Sequence, residues 1–210
     1  MTRILITDDH TLFREGIRTF LRQFPEFTAI GTAVDGDDVF HQLKKDPWDV
    51  MLLDVSMPGP DTLDILHRIR TARLAVRVII LTMHKDTAMA LRYLKAGAHG
   101  FLNKDSDPEL LMEAIRRVAG GKRFLSQDLA DRMLDVWDAE PGAYPHAALS
   151  DREMTVLCAL SSGYNLSEIA RKMGVSPRTV STYRSRVLHK MNMTSNTELT
   201  RYAIAHGLVV

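Results

Sequence analysis

The chain has 210 residues, enough for one or two domains, and its 45% hydrophobic and 25% charged residues exclude wholesale disorder. No apolar run approaches the roughly 20 residues that span a membrane, no signal-peptide pattern opens the chain, and one cysteine, Cys158, excludes an internal disulfide framework, so a soluble cytoplasmic protein without a membrane partner is expected. Net charge is only +1, yet residues 149–210 hold 8 Lys and Arg against 4 acids, whereas residues 1–121 hold 16 against 17 and residues 122–148 hold 3 against 5; the C-terminal third is the part suited to nucleic acid.

From the N-terminus, short apolar runs alternate with amphipathic segments. Ile4–Thr7 reads as a buried strand, and Phe13, Ile17, Phe20, Leu21 and Phe24 follow with helical spacing. Thr28–Ala33 predicts a second strand and Gly36–Lys44 a helix. Val50–Val55 is nearly all apolar, as a central parallel strand covered on both faces must be. Leu63–Ile69 predicts a helix, Arg77–Met83 a fourth strand, Thr87–Lys95 a helix ending at Gly97, and His99–Asn103 a short fifth strand. Asp107 stands as N-cap and Pro108 as the first residue of a helix running to Gly120-Gly121. Five such units imply an α/β domain with a doubly wound five-stranded parallel sheet, whose ligands bind beyond the carboxyl ends of the strands.

Residues 122–148 break the alternation. Ser126–Trp137 has a helical pattern, and Ala139–Ala148, with Pro141, Gly142 and Pro145, reads as linker. From Leu149 every segment is helical. Ser150 and Glu153 form a capping box for a helix through Leu160. Leu166–Met173 is a short helix, Gly174-Val175 a tight turn, and Ser176 with Pro177 opens a helix to about Met191. Ser195 and Glu198 repeat the capping box before a last helix ending near Gly207. Short helix, glycine turn and capped longer helix make a helix-turn-helix in a small all-α domain. The expected boundaries are 1–121, 122–148 and 149–210.

Asp8 and Asp9 close the first strand and Asp54 the third, which are neighbours in a doubly wound sheet. Converging carboxylates repel. A hard divalent ion with oxygen ligands, Mg²⁺, relieves this and leaves room for a phosphate. Thr82 ends the fourth strand with a hydroxyl, and Lys104 follows the fifth with an ammonium. Any one of these is ordinary turn chemistry. The ordered set is a kit for phosphoryl transfer to a carboxylate.

Residues 1–121 resemble a response-regulator receiver domain, which has a flavodoxin-like fold. The matching features are Asp8-Asp9-His10 with Leu12-Phe13-Arg14-Glu15-Gly16, Asp54 followed by Met57-Pro58-Gly59, Thr82, and Lys104-Asp105 after Ala96-Gly97-Ala98. The resemblance implies that Asp54 accepts a phosphoryl group from a sensor histidine kinase or phosphotransfer protein. It implies that Asp8, Asp9, Asp54 and the Ser56 backbone carbonyl hold Mg²⁺, and that Thr82 and Lys104 contact the phosphoryl group. Phe101 stands at the family's switch aromatic, often Tyr, so a hydroxyl-dependent switch is absent. Thr62 stands where the family commonly has Gly. The implied coupling runs from movement of Thr82 and Lys104, through inward repacking of Phe101, to the face of the fourth helix, fifth strand and fifth helix.

Residues 149–207 resemble a LuxR-type helix-turn-helix domain, through Leu149-Ser150-Asp151-Arg152-Glu153, Val156-Leu157, Gly163, Glu168-Ile169-Ala170, Val175-Ser176, Thr179-Val180, Lys190-Met191 and Thr197-Glu198-Leu199. On the expected recognition helix Val180, Tyr183, Val187 and Met191 share the packing face. Arg178, Ser181, Thr182, Ser185 and His189 lie opposite, to enter the major groove of duplex DNA, and Thr179 joins the expected contact set. Arg184, Arg186 and Lys190 flank them and suit phosphates. Ser181 stands where the family often has Lys, which weakens the readable base code.

The whole chain resembles a two-component response regulator of the NarL/FixJ type. Phosphorylation at Asp54 then controls sequence-specific DNA binding and transcription. The active form is a homodimer on half-sites about one helical turn apart, with the receiver helices and the last helix around Leu199 and Tyr202 as candidate interfaces, and RNA polymerase is a further partner. No enzyme is implied beyond self-phosphorylation from small donors and slow loss of the phosphoryl group. Two other readings are a phosphorylation-independent DNA-binding regulator with the receiver as dimerisation scaffold, and an aspartyl-phosphate phosphohydrolase. The intact Asp, Thr and Lys set opposes the first. Ser56 opposes the second, standing where such enzymes commonly carry a general acid two residues after the nucleophile. Cys158 reads as a buried core thiol, and Trp48 and Trp137 as packing residues. The eight histidines show no metal-ligand spacing, and His10 reads as a loop or helix-start residue.

Overall fold

The computed structural model describes residues 1–83, 87–127, 129–131, 133 and 144–209. β1 (Thr2–Thr7), β2 (Phe27–Ala33), β3 (Val50–Asp54), β4 (Arg77–Thr82) and β5 (Gly100–Asn103) form one parallel sheet in the order β2-β1-β3-β4-β5. One helix follows each strand: α1 (Thr11–Leu21), α2 (Gly36–Lys45), α3 (Thr62–Thr71), α4 (Thr87–Ala96) and α5 (Pro108–Ala119). Strand limits fall within two residues of those read from the sequence. β3 is buried along its whole length because it lies between β1 and β4 and is covered on both faces. Ile4, Ile6, Leu52, Ile79 and Leu81 from the sheet pack with Ile17 and Leu21 of α1 and Met112, Ile115 and Val118 of α5.

Two packing details hold the sheet edges. A Cβ on Gly31 would lie 2.4 Å from the ring of Trp48, so the absence of a side chain there seats the indole. The Trp48 Nε1–H donates to the Gln42 carbonyl at 3.0 Å, in keeping with its expected packing role. At the other edge, Phe124 N–H donates to the His99 carbonyl at 2.9 Å, its backbone bridges to Gly100, and its ring joins the core. An open edge strand invites unwanted pairing, and Phe124 covers this one. No periodicity in the sequence announces that contact.

Residues 127, 129–131 and 133 are helical, at the start of the helix read over Ser126–Trp137. Trp137, Pro141 and Gly142 lie outside the described residues. Pro145–Ala148, read from its proline as linker, is instead a 3-10 helix packed on a helix of the second unit, with His146 buried against Tyr144 and Tyr202.

The second compact unit is all helical: α6 (Asp151–Ser161), α7 (Leu166–Met173), α8 (Pro177–Met191) and α9 (Asn196–Ala205). The Ser150–Glu153 capping box is complete. Gly174 adopts φ 65°, the left-handed cap that ends α7, and Ser176 Oγ accepts from Thr179 N–H to start α8. Three caps differ from expectation. Asn165 and Glu168 form a full box on α7 that the reading missed, because Asn stands in the Ser/Thr position. Ser195 caps α9, but Glu198 accepts from Thr194 N–H rather than closing a box on Ser195. Asp107 occupies the N-cap of α5 without a side-chain bond to the helix. Among the described residues no helix is long and apolar enough to cross a membrane.

Candidate functional site

The parallel pairing of β1 with β3 sets Thr7 beside Leu53, so the next residue on each strand, Asp8 and Asp54, emerge side by side. One ligand atom from each of Asp8, Asp9, His10 and Asp54 lies within 4.8 Å of the others. Asp8 and Asp54 are fully buried, and Asp9 and His10 exposed. Lys104 closes the inner side. Its backbone N–H donates to the Thr82 carbonyl at 2.8 Å, and its Nζ lies 2.7 Å from Asp8 Oδ2 and 3.0 Å from Asp54 Oδ1. Thr82 is buried at the end of β4, whose neighbouring residue Leu81 pairs with Asp54. Ser56 sits half-buried in the loop after β3, and its N–H donates to the Asp54 carboxylate.

Burial pushes the Asp54 carboxyl up to about 6, against an ordinary value of 3.8; Lys104 and the Ser56 N–H oppose the rise, and Asp8 adds to it. Asp54 Oδ2 is buried with no hydrogen-bond partner. Such an oxygen is costly to leave unsatisfied and is well placed for an electrophile or a cation.

Sequence reasoning missed one supporting residue. Arg14, though charged, is buried on α1 and donates through Nη1 to the Asp8 carbonyl at 2.6 Å. It anchors the turn that carries both acids. The sequence signals were a cation on the otherwise apolar side of α1 and its place in the Leu12-Phe13-Arg14-Glu15-Gly16 run. Phe101 lies inward, buried and stacked on Tyr93 with centroids 6.4 Å apart. Thr62 is buried at the first position of α3, behind an Asp61 cap on Leu63 N–H. Cys158 is the expected buried thiol.

The helical unit presents a second surface. Val180, Val187 and Met191 are buried and Tyr183 half-buried, as the packing face requires. Arg178, Ser181, Thr182, Ser185, Arg186 and His189 are exposed, and Thr179 is half-buried. Thr182 and Ser185 donate to the Arg178 and Ser181 carbonyls at 3.1 Å each, so their hydroxyls present acceptor lone pairs outward. Two flanking cations are engaged elsewhere. Arg184 Nε donates to Asn196 Oδ1 at 2.7 Å, and Lys190 Nζ lies 2.6 Å from Glu153 Oε2 and donates to the Ala148 carbonyl at 3.2 Å. Both hold the unit together as well as flanking the exposed face of α8. Leu199 is fully buried, so that side chain is not available to the interface expected around it.

The model of the response regulator receiver domain matches residues 4–116, and that of the bacterial regulatory proteins of the luxR family matches residues 147–203. The chain is a response regulator. It is 35% identical over 209 residues to the response regulator UvrY of Escherichia coli, covering 99% of this chain and 96% of that one. It is 31% identical over 210 residues to the response regulator GacA of Pseudomonas aeruginosa, covering 100% and 98%. Among solved structures it is similar to RcsB of Salmonella enterica bound to a promoter in the presence of the phosphomimetic BeF₃⁻, with a TM-score of 0.65, 25% identity and 97% and 98% of the two chains covered.

The chain is thus a regulator of the NarL/FixJ type, a phosphorylation-controlled regulator of transcription that joins a receiver to a LuxR-type DNA-binding domain. In this response regulator the acidic cluster lies where receiver domains generally bind Mg²⁺. The fold brings Asp8, Asp9, Asp54 and Lys104 together from three strand ends, with Thr82 beside them.

Proposed function

We propose that Asp54 is the phosphoacceptor of this response regulator and that its donor is the phosphohistidine of a sensor kinase or phosphotransfer protein. The observation that carries this reading is Asp54 Oδ2, buried and unpartnered on a carboxylate whose other oxygen already faces the Lys104 ammonium. In the transfer Oδ2 forms its bond to phosphorus as the donor's P–N bond breaks, and the electron pair stays with the imidazole, which takes up a proton. Lys104 Nζ turns from the paired carboxylates to the phosphoryl oxygens, and the Thr82 hydroxyl donates to another. Three carboxylates against one ammonium leave the pocket net negative, a donor set that fits Mg²⁺ on Asp8, Asp9, Asp54 and the Ser56 carbonyl. The ion supplies charge neutralisation at the phosphoryl group. Phe101 transmits the change to the face of α4, β5 and α5.

The receiver spans 1–121 and the DNA-binding domain 149–210, with 122–148 connecting them. The active protein is a cytoplasmic homodimer that sets α8 in the major groove through Arg178, Thr179, Ser181, Thr182, Ser185, Arg186 and His189, beside RNA polymerase. The promoter-bound RcsB relative supports this arrangement. Beyond accepting phosphate from small donors and losing it slowly, the chain catalyses nothing.

The test is intact mass after incubation with Mg²⁺ and a small phosphodonor. A phosphate adduct on the wild type and none on Asp54→Ala is the expected result. Regulated DNA binding that survives Asp54→Ala would overturn it in favour of a phosphorylation-independent regulator.

A further inference from the structure

Asp8 presents its two oxygens to two different cationic or nitrogen groups. Oδ2 faces Lys104, while Oδ1 faces His10, whose Nδ1 is 3.2 Å away. The same Nδ1 lies 2.8 Å from Asp9 Oδ1. His10 is the N-cap residue of α1, yet its side chain makes no bond to the helix. The backbone N–H of His10 donates to Asp8 Oδ1 at 2.7 Å, which fixes the main chain and turns the exposed imidazole back over the acids. The buried, unpartnered Asp54 Oδ2 lies on the same pocket.

These spacings suit one ion. Ligands about 2.1 Å from an octahedral cation lie about 3.0 Å apart when adjacent, and the His10–Asp9 and His10–Asp8 separations straddle that value. A pocket of carboxylates alone suits Mg²⁺. An imidazole added to it suits first-row transition ions, which accept nitrogen and rise in affinity along the series from Mn²⁺ to Ni²⁺.

We propose that His10 is a further ligand of the divalent ion in this pocket, beside the three acids and the Ser56 carbonyl, and that it tilts the site from Mg²⁺ toward Mn²⁺, Co²⁺ and Ni²⁺. The inference rests on the acidic pocket being a divalent-cation site. It adds that the residue after the paired acids is a specificity-determining ligand, held by its own backbone bond to Asp8.

The experiment is calorimetric titration of the full chain with Mg²⁺, Mn²⁺ and Ni²⁺, for the wild type, His10→Ala, His10→Gln and Asp8→Asn. Spin-echo spectroscopy of bound Mn²⁺ reads nitrogen coupling directly, and circular dichroism checks that each variant is folded. The wild type is expected to bind Mn²⁺ and Ni²⁺ more tightly than Mg²⁺. His10→Ala and His10→Gln should each weaken Mn²⁺ and Ni²⁺ by about tenfold or more, hold Mg²⁺ within about twofold, and lose the imidazole ¹⁴N signal. Asp8→Asn should weaken all three ions, placing the signal in this pocket rather than at another histidine. Equal losses for all ions in both His10 variants, unchanged affinities, or Mn²⁺ bound without imidazole coupling would each overturn the role of His10 and leave the acidic site standing. A wild type that binds none of the three ions would overturn the site itself.

Discussion

At the scale of single residues, the ionisation of Asp54 opposes folding. Its folded carboxyl is raised to about 6 from 3.8, so the folded state binds its proton more tightly than the unfolded state does. The resulting contribution to stability is complete below about 3.8 and is lost as pH rises through about 6. The neutral Asp54→Asn variant should therefore be more stable than wild type at pH 7.5, by about 1–3 kcal/mol, and show little gain at pH 4. Urea unfolding at the two pH values measures this, and an equal effect at both would contradict it. Mg²⁺ held as proposed would neutralise the buried carboxylate, so it should raise the melting temperature more at pH 7.5 than at pH 5. Glu153 behaves in the opposite sense. Burial pushes its carboxyl up, but Lys190 and the Ser150 N–H pull it below its ordinary value, so that contribution is present above 4.5 and lost as pH falls below it. Lys190→Ala leaves Glu153 buried without its ammonium and should cost about 1–3 kcal/mol of stability. Arg186→Ala, on an exposed cation, should weaken DNA binding with stability unchanged within about 0.5 kcal/mol. Thermal melts and binding titrations on the pair separate a structural lysine from a contact arginine.

At the scale of elements, caps decide how firmly each helix starts. Asn165 satisfies two backbone donors of α7, Ser167 N–H and Glu168 N–H, and Glu168 reaches back to Asn165 N–H. Asp107 makes no such bond on α5. Asn165→Ala should cost about 1 kcal/mol, and Asp107→Ala clearly less, in chemical denaturation. The two residues look alike in sequence, each a small polar residue before a helix. The difference lies in rotamer and surroundings, which no local pattern records. The helices themselves were legible because amphipathic spacing and Gly or Pro punctuation are local properties of the chain. Gly31 is a further element-scale case. It reads as a weak strand residue, yet its missing Cβ is what admits Trp48.

At the scale of the whole molecule, the basic surface of α8 and the acidic pocket of the sheet perform separate chemistry. DNA affinity should fall with salt as phosphate contacts release counterions. Arg186→Ala should reduce the slope of log affinity against log salt by about 1 and weaken binding across sequences alike. Fluorescence anisotropy over a salt series checks this, and a loss confined to one operator sequence would assign Arg186 to a base edge instead. The succession of five strands and their helices, the acids at the strand ends and the helix-turn-helix spacing were all determined by sequence alone, because hydrophobic period, strand-end position and capping pattern act over a few neighbouring residues. Tertiary structure alone decided that Lys104 sits between Asp8 and Asp54, that Arg14 anchors the Asp8 turn, that Phe124 closes the sheet edge, and that Lys190 pairs with Glu153. Most of those partners are far apart along the chain, and even Arg14 meets a backbone carbonyl rather than a patterned side chain. Burial sets their energies, and burial is a property of the assembled fold.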